Sequence, residues 1–427
     1  MKKVGLISLG CDKNRVDSEY LLGLLDHFGY TLVSDPKDCD IIFINTCGFI
    51  ESSKRESINT ILEMLDYDKS VVILGCLAER YEKELKEEFK EATIIPIHDY
   101  RYLSSYLRNI DHDFCGSGGI DEKYRILSTA PYTAYLRIGE GCSNHCAYCA
   151  IPLIRGEYVS RKKEDIISEA LKLKDQGVKE IVVLQQDTTK YGSDLNGQEN
   201  IVSLLKSLLE IKEFEYIRLL YLYPDEISDE LINLIKEEKR LTPYFDIPIQ
   251  HSETKILKSM RRRGDKQFLI NLFKKIKETV PNAILRTTVM VGFPGETKKD
   301  IDNLIKFMEE VKFDHLGAFT YSREEDTLSY NMPHQVREKT KKERLDRVMK
   351  AQQKISYLNN KKHIGEIMEG LVVGFKDDKY LLRSYWNAPD DIDGNIYFIS
   401  DKKLEMGEKV QIKITNAFVY DLIGEKI

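Results

Sequence analysis

The chain has 427 residues, of which 42% are apolar and 31% charged, and its net charge is −6. These values are typical of a globular protein of about three domains, and they exclude a broadly basic nucleic-acid coat. No run approaches the roughly 18 consecutive apolar residues that a membrane helix needs. The N-terminus predicts a first β-strand rather than a signal peptide, so we expect a cytoplasmic protein without membrane association.

The first part of the chain alternates predicted strands and helices. Short apolar runs indicate buried strands, and the segments between them carry apolar residues at helical spacing. This alternation predicts a parallel sheet with helices on both faces. We place the strands at 4–9, 40–45, 71–74 and 94–97, and the helices at 16–28, 51–65 and 79–89.

A second strand–helix series follows a segment without periodicity at 111–128, where the glycine-rich residues 116–119 mark a linker. Its six strands indicate an open or partial barrel, because a closed TIM barrel has eight. The strands are placed at 135–138, 181–184, 216–220, 244–249, 284–291 and 316–319, and the helices at 163–176, 201–211, 227–237, 266–279 and 298–311.

After a long charged helix at 335–360, the pattern changes to five short strands, which predict a small all-β barrel. The predicted fold class is therefore α/β with three domains. They are an N-terminal parallel α/β sandwich at 1–120, a central partial (β/α)6 barrel at 128–360 and a small antiparallel β-barrel at 361–427. The last five strands are placed at 366–373, 380–385, 396–399, 409–416 and 421–427.

The eight cysteines carry the clearest chemical signal. A chain this long and this poor in cysteine is not a secreted disulfide scaffold, and clustered cysteines in such a chain indicate metal or redox chemistry. Cys142, Cys146 and Cys149 directly follow the first strand of the second domain. Three thiolates at this spacing can hold an iron–sulfur cluster, and the lack of a fourth cysteine nearby leaves one iron open. The alternatives are chance clustering and a Cys3His zinc site, although His145 adjoins Cys146 and would point away from such a site.

This segment resembles the radical S-adenosylmethionine enzymes, whose signature is CxxxCxΦC after the first strand of a partial (β/α)6 barrel. Tyr148 is the aromatic residue before the last cysteine. The resemblance implies that these three cysteines bind a [4Fe-4S] cluster whose open iron binds S-adenosylmethionine. It also implies reductive cleavage of that cofactor to methionine and a 5′-deoxyadenosyl radical, with an external electron donor.

Three other cysteines share one topological position. Cys11, Cys47 and Cys76 each follow the C-terminal end of a predicted strand, and each has a glycine neighbour. Because parallel strand ends converge on one sheet edge, these thiols can hold a second cluster. The alternative is three buried structural cysteines. Cys39 and Cys115 lack this placement, and we interpret them as a packing residue and a linker residue.

Two three-cysteine sites, one on an α/β domain and one on a radical barrel, resemble the methylthiotransferase family. With the C-terminal barrel as its TRAM domain, the resemblance covers the whole chain. It implies two [4Fe-4S] clusters and two uses of S-adenosylmethionine, as methyl donor and as radical source. In that family the auxiliary cluster, here on Cys11, Cys47 and Cys76, carries the sulfur. Radical chemistry is needed because general bases cannot open an unactivated C–H bond at pH 7.

Several motifs are similar to the ribosomal-protein branch of that family, the RimO type, which methylthiolates the β-carbon of an aspartate in small-subunit ribosomal protein S-twelve. The tRNA-adenosine branch typically carries Gln-Met-Asn after the first cysteine, where this chain has Asp12-Lys13-Asn14. The motifs are SLGCDKN at 8–14, NTCGFI at 45–50, GCLAERY at 75–81, IPLIRG at 151–156, QDTTKYG at 186–192 and NAPDDIDG at 387–394.

The charge of the C-terminal domain gives an independent indication. Residues 361–427 contain 10 Lys and Arg against 12 Asp and Glu. A domain that grips tRNA phosphates is expected to be basic, whereas a mildly acidic one suits a basic ribosomal protein. The basic run at 258–263 fits either an RNA contact or a solvated helix end. We therefore expect ribosomal protein S-twelve rather than tRNA as partner, with a tRNA adenosine methylthiotransferase and a noncatalytic iron–sulfur carrier as alternative functions.

The cofactor pocket is expected at the C-terminal ends of the barrel strands. We assign no catalytic residue there beyond the cluster ligands. Many radical enzymes carry a Gly-Gly-Glu contact for the methionine amino group after the second strand, and this chain lacks it. Glu296 is expected to cap the following helix. The candidates for cofactor binding are Gln186, Asp187, Gln250, Arg286, Gly292 and Gly295.

Overall fold

The N-terminal part of the chain folds into a five-stranded parallel sheet. Its strands are β1 (Lys3–Ser8), β2 (Thr31–Leu32), β3 (Ile41–Thr46), β4 (Ser70–Gly75) and β5 (Thr93–Ile95). They lie in the order β2–β1–β3–β4–β5. The computed structural model describes residues 2–103, 106–107, 124–195, 197, 199–390 and 392–427. Cys115 and the predicted linker at 116–119 lie outside these residues.

The helices that pack on this sheet are α1 (Asp12–His27), α2 (Glu51–Leu65), α3 (Cys76–Arg80) and α4 (Glu82–Glu88). All six residues of β3 are buried because helices cover both faces of the sheet. The single helix predicted at 79–89 is wrong in two respects. The first helix already begins at Cys76, directly after β4, and the backbone leaves helical geometry at Tyr81. Strand β2 escaped prediction because two residues are too few for a pattern.

The six strands predicted for the central part are all present. They are β6 (Thr133–Arg137), β9 (Glu180–Leu184), β10 (Tyr216–Leu219), β11 (Tyr244–Asp246), β12 (Ile284–Val291) and β13 (His315–Thr320), and the short antiparallel pair β7 (Gly139–Glu140) and β8 (Val159–Ser160) follows β6. The six barrel strands form two parallel sheets, β10–β9–β6 and β11–β12–β13. A backbone bridge between Ile217 and Leu241 joins the two sheets into one open barrel.

Helices cover the outside of this barrel. The first helix of this part, α5 (Ile151–Arg155), instead packs against α3 of the N-terminal part. The others are α6 (Lys163–Asp175), α7 (Ile201–Leu209), α8 (Asp229–Glu237), α9 (Thr254–Ser259), α10 (Lys266–Thr279), α11 (Lys298–Val311) and α12 (Glu338–Asn360). Short 3₁₀ turns lie at Pro36–Asp38, Ile97–Tyr102, Thr188–Lys190, Pro224–Glu226 and Lys361–His363. The long charged helix α12 packs against β13 and α11. Within the described part of the chain, none of the helices is both long and apolar enough to cross a membrane.

The C-terminal part is a closed five-stranded barrel, as predicted. Its strands are β14 (Ile367–Lys376), β15 (Lys379–Ser384), β16 (Ile396–Ile399), β17 (Lys409–Ala417) and β18 (Leu422–Lys426), closed in the order β14–β15–β16–β18–β17. The prediction of a purely antiparallel barrel needs one correction, because β16 and β18 pair in parallel. These two strands are not consecutive in the chain, and such a pairing leaves no signal in a short strand pattern.

The loop between β15 and β16 joins this barrel to the rest of the protein. Trp386 is fully buried, and its carbonyl oxygen lies 2.8 Å from Nε2 of His315 at the start of β13. Asp393 accepts hydrogen bonds from Tyr244 Oη at 2.5 Å and from Arg286 Nε at 3.2 Å. The C-terminal barrel is therefore anchored on the open barrel by buried aromatic and ionic contacts.

Replacing Trp386 with alanine is expected to lower the free energy of unfolding by about 3–5 kcal/mol, because the large buried ring leaves a cavity. Thermal or urea denaturation measures the change. Ile399→Ala is the matched control, since Ile399 is 55% exposed on the same barrel. Its expected effect is within about 0.5 kcal/mol. Equal losses in the two variants would contradict the anchoring role of the loop.

Candidate functional site

Three strand-to-helix connections at one edge of the N-terminal sheet carry Cys11, Cys47 and Cys76, the last as the first residue of α3. They follow β1, β3 and β4, which are neighbours in the sheet. Glycines let the loops approach closely. A Cβ added at Gly10 (φ +92°) would lie 2.9 Å from Cys47 Cβ, and one at Gly48 would lie 2.9 Å from the Cys76 carbonyl oxygen. The loops therefore meet at one edge, and the ligand role of their thiols stays a prediction.

Asn14, in the first turn of α1, holds the three loops together. Its Nδ2 donates to the carbonyl oxygens of Leu9 and Thr46, both at 2.9 Å. Its Oδ1 lies 3.3 Å from the Cys76 sulfur. One buried amide thus contacts the segments around all three cysteines.

The thiols of this first site differ in their surroundings. Burial raises the pKa of Cys47, and it raises the pKa of Cys76 to about 11. Arg155 opposes the shift at Cys76, because its Nη2 lies 3.4 Å from the sulfur. Cys11 is exposed. A metal bound here would displace protons from the buried thiols, and the guanidinium favours the thiolate form.

The second set of thiols lies on the loop between β7 and α5. The loop turns tightly, with the Cys149 N–H donating to the Cys146 carbonyl at 3.0 Å. The Ile151 N–H points at the Cys149 sulfur from 3.4 Å. Burial raises the pKa of both Cys142 and Cys149. The loop therefore presents desolvated thiols that ligation to a metal would deprotonate.

A buried arginine also lies beside this second site. Arg262 Nη1 is 3.8 Å from the Cys146 sulfur and 3.4 Å from Tyr148 Oη. Its guanidinium stacks over Tyr223, 4.2 Å from the ring centre. The run at 258–263 was predicted to be an RNA contact or a solvated helix end. For Arg262 both interpretations are wrong, because this residue is buried against the thiol loop.

A buried ion network links the two thiol sites. Lys13 of α1 donates to Glu140 Oε1 at 2.7 Å and to Gln186 Oε1 at 2.6 Å. Burial lowers the pKa of Lys13 to about 8. Burial alone would raise the pKa of Glu140, but Lys13 and Arg155 hold it well below its usual range. The first turn of α1 is thereby tied to the ends of β7 and β9.

Two predicted cofactor residues lie just beyond β9. Gln186 bonds Lys13 as described, and Asp187 is fully buried. Asp187 accepts hydrogen bonds from Asn144 Nδ2 and Thr189 Oγ1, both at 2.7 Å. Burial raises the pKa of Asp187. Since Asn144 belongs to the second thiol loop, Asp187 orients that loop, and direct cofactor contact by either residue stays a prediction.

Gln250 and Arg286 occupy different depths of the barrel. Gln250 follows β11 with a left-handed backbone (φ +68°), and its buried Oε1 has no hydrogen-bond partner among the described residues. An unpartnered acceptor at this end of the barrel suits a polar ligand. Arg286 lies in the first half of β12 and pairs with Asp246 at 2.7 Å and with Asp393 at 3.2 Å. Its guanidinium thus links the barrel to the C-terminal domain.

Gly292 and Gly295 turn the chain after β12. A Cβ at Gly292 would collide with Lys341 of α12, so this glycine makes room for that helix, whereas one at Gly295 would meet no described atom within 4 Å. The prediction that Glu296 caps α11 is wrong, because Thr297 provides the cap. Glu296 instead accepts the Gly292 N–H at 2.9 Å and closes the turn.

Each thiol site offers three sulfur ligands, which is the donor set of an iron–sulfur cluster with one open iron. In the described ranges, no three His, Cys, Asp or Glu side chains converge tightly enough for a single metal ion. A cluster does not need that convergence, because each thiolate binds a different iron. His145, the candidate for a fourth zinc ligand, is 54% exposed and lies 3.5 Å from Glu157.

Known families match the chain in three segments. Residues 3–96 match the model described as Uncharacterized protein family UPF0004, residues 136–308 match the Radical SAM superfamily, and residues 364–427 match the TRAM domain. The first thiol site falls in the first segment and the second thiol site in the second.

Relatives match over the full length. "Ribosomal protein uS12 methylthiotransferase RimO" of Clostridioides difficile (strain 630) is 46% identical over 100% of this chain and 99% of the relative. The protein of that name from Clostridium novyi (strain NT) is 47% identical over 99% of this chain and 97% of its own length. The one from Thermoanaerobacter sp. (strain X514) is 44% identical over 100% of both chains. The chain belongs to the RimO methylthiotransferase family. Its RimO membership makes it a radical S-adenosylmethionine methylthiotransferase, as predicted.

The fold of this RimO-family chain is similar to those of solved radical enzymes. The radical S-adenosylmethionine methyltransferase TsrM from Kitasatospora setae gives a TM-score of 0.53 at 13% identity, covering 75% of each chain. The cobalamin-dependent radical enzyme OxsB gives 0.52 at 12% identity, covering 83% of this chain and 56% of that one. At such identities the likeness shows the fold alone.

The sequence motifs of the RimO family contain the polar residues around the thiols, but their contacts could not be predicted. Asn14 belongs to the SLGCDKN motif and Arg155 to the IPLIRG motif, and these two residues are 141 positions apart. Lys13 and Glu140 are 127 positions apart. The available signal was charge next to cysteine, and it does not identify the partner. Arg262 gave less signal still, because it lies within an ordinary basic run.

Proposed function

We propose that this chain methylthiolates the β-carbon of an aspartate in the small-subunit ribosomal protein uS12. The observation that carries the proposal is the presence of two three-thiol sites, tied to each other by a buried ion network, in one chain. The names of the full-length relatives support uS12 as the substrate. Two S-adenosylmethionine molecules would be used, one as methyl donor and one as radical source.

The proposed resident cofactors are two [4Fe-4S] clusters. When bound with S-adenosylmethionine, they supply a radical that removes hydrogen from carbon and a methylated sulfur that replaces it. The ligands we assign are Cys11, Cys47 and Cys76 in one site and Cys142, Cys146 and Cys149 in the other.

The protein's own residues position these ligands. Asn14 fixes the three loops of the first site through its contacts to Leu9 and Thr46. Asp187 orients the second thiol loop through Asn144. Around that loop, the buried Arg262 and the partly buried Tyr148 contact each other and would limit the access of water. A dry pocket of this kind protects a reactive radical from side reactions.

For S-adenosylmethionine itself, Gln250 is the best placed of the proposed contacts, because its buried Oε1 accepts no hydrogen bond from the described residues. Gln186 and Asp187 are already engaged in hydrogen bonds with Lys13 and Asn144, respectively. Gly292 and Gly295 would shape the turn beside the pocket. Arg286 would affect the cofactor only indirectly, because its guanidinium is already paired with Asp246 and Asp393.

We propose domain boundaries at 1–120 for the auxiliary-cluster domain, 128–360 for the radical domain and 361–427 for the TRAM domain. The TRAM domain is mildly acidic, with 10 Lys and Arg against 12 Asp and Glu. Such a surface favours a basic protein over tRNA phosphates. We further propose a cytoplasmic location and an external electron donor.

The test is an anaerobic incubation of the reconstituted protein with S-adenosylmethionine and a reductant, with unmodified uS12 or tRNA in parallel. Mass spectrometry then looks for a methylthio group in place of hydrogen. We expect an adduct on an aspartate of uS12 only. An adduct on tRNA only would refute uS12 as the substrate but would leave the proposed radical chemistry intact. A loosely held cluster without any cleavage of S-adenosylmethionine would favour the noncatalytic iron–sulfur carrier.

Replacing Gly75 with alanine is expected to empty the first thiol site and lower iron and sulfide content by about half. The backbone at Gly75 is left-handed (φ +94°), and a Cβ there would lie 2.5 Å from the Thr46 carbonyl oxygen. Relief of that collision must move Cys76, the next residue. Gly29→Ala is the control, since φ is +79° there but no described atom lies within 4 Å of the added Cβ. An unchanged iron content in Gly75→Ala would refute a cluster at the first thiol site.

A further inference from the structure

We infer that Arg155 is the positioning residue that joins the two thiol sites, by hydrogen-bonding the Cys76 sulfur and fixing helix α1 against the loop that carries Cys149. The inference rests on the proposed function, because it treats both thiol sets as cluster ligands. It gives a role to the buried Arg155 side chain, which is not itself one of the proposed cluster ligands.

Arg155 connects the sites because it follows the second thiol loop in the chain and its guanidinium contacts the first site. It is the last residue of α5, a helix that begins two residues after Cys149. Its Nη2 lies 3.4 Å from the Cys76 sulfur and 2.5 Å from Asn14 Oδ1. A group on helix α5 of the radical domain thus reaches across to the sulfur and to the amide that organises the first site.

The other nitrogen of the guanidinium secures this geometry. Nη1 pairs with Asp17 Oδ2 at 2.7 Å and with Glu140 Oε2 at 3.3 Å. The Arg155 and Asp17 side chains are each only 2% exposed, so water screens their charges little. The planar guanidinium suits this task because it donates in several fixed directions at once, which an ammonium does not.

Two consequences follow for a cluster held by Cys76. A hydrogen bond and a positive charge at a ligand sulfur stabilise the more negative state, and such contacts tune cluster potentials. Uptake of one electron lowers the net charge of the cluster by one, so Arg155 raises the midpoint potential. The same contacts hold α1 in register with the second thiol loop.

The experiment measures the midpoint potential of the first site alone. The parent is the full-length chain with Cys142→Ala, Cys146→Ala and Cys149→Ala, reduced by one electron from dithionite and followed by electron paramagnetic resonance. Arg155→Gln is expected to lower the potential, because the charge is lost. Arg155→Lys is expected to keep the potential close to that of the parent, because the positive charge remains.

Asp17→Asn provides a test of opposite sign that also serves if Arg155→Gln does not fold. It removes a negative charge that partly offsets Arg155, so the potential is expected to rise. Arg125→Gln is the matched control: Arg125 is also buried and bridges α1 and α6 through Glu19 and Glu169, with its hydrogen bonds in the described residues going to oxygen atoms. Its expected shift is negligible.

The inference is overturned if Arg155→Gln leaves the potential unchanged, if Asp17→Asn fails to raise it, or if Arg125→Gln shifts it as far as Arg155→Gln does. A parent protein that binds no cluster at all would give a different result. It would refute the ligand assignment of the proposed function, and the role of Arg155 would fall with it.

Discussion

Replacing Cys47 with alanine is expected to abolish methylthio transfer to uS12 while S-adenosylmethionine is still cleaved. Cys47 is buried in the first thiol site, where a Cβ on Gly10 would lie 3.1 Å from its sulfur. Loss of one of three ligands leaves the first cluster unsupported, whereas the second thiol loop belongs to another domain and keeps its ligands. The measurement counts methylthiolated uS12 and 5′-deoxyadenosine in the same anaerobic reaction.

Cys39→Ala is the matched control for Cys47→Ala. Cys39 is also buried in the N-terminal domain, but it packs among apolar residues and its thiol contacts the Asp35 carbonyl at 3.4 Å. That placement agrees with the packing role predicted for it, and we expect transfer at the parent level. Methylthiolated uS12 from Cys47→Ala would refute the auxiliary role of the first site.

Replacing Cys149 with alanine is expected to abolish both reactions. Cys149 lies at the end of the tight turn in the second thiol loop, and its sulfur faces the Ile151 N–H at 3.4 Å. Without a supported cluster at this site there is no electron source for reductive cleavage, so 5′-deoxyadenosine falls to background. Liquid chromatography of the reaction products measures this directly.

His145→Ala separates this prediction from a zinc site. His145 is 54% exposed and is the candidate fourth ligand that a Cys3His site would need. We expect His145→Ala to keep iron content and cleavage near the parent level. Cleavage by Cys149→Ala, or loss of metal in His145→Ala, would contradict a three-cysteine cluster.

Much of the fold could be predicted because its signals are local. The strand–helix alternation and the six barrel strands follow from apolar periodicity, and helix α2 begins and ends where the pattern does. The failures involve backbone geometry or distant pairing. The break at Tyr81 and the parallel pairing of β16 with β18 depend on tertiary contacts that periodicity does not register.

The candidate site divides in the same way. Cysteines after strand ends predict where thiols meet, because sheet topology brings those ends together. The polar residues around the thiols are different, because the Lys13–Glu140 and Asn14–Arg155 contacts join residues more than 100 positions apart. Glu296 shows the reverse error. A local rule predicts a helix cap, whereas its carboxylate is committed to the Gly292 amide and to Arg344 at 2.7 Å.

The most direct measurement of the central claim uses uS12 whose aspartates are deuterated at the β-carbon. This uS12 is incubated anaerobically with the reconstituted protein, S-adenosylmethionine and a reductant. Mass spectrometry then measures the masses of the modified uS12 and of the 5′-deoxyadenosine. If the radical removes hydrogen from that carbon, one deuterium appears in 5′-deoxyadenosine for each methylthio group gained. Methylthiolated uS12 accompanied only by unlabelled 5′-deoxyadenosine would contradict hydrogen removal from the aspartate β-carbon.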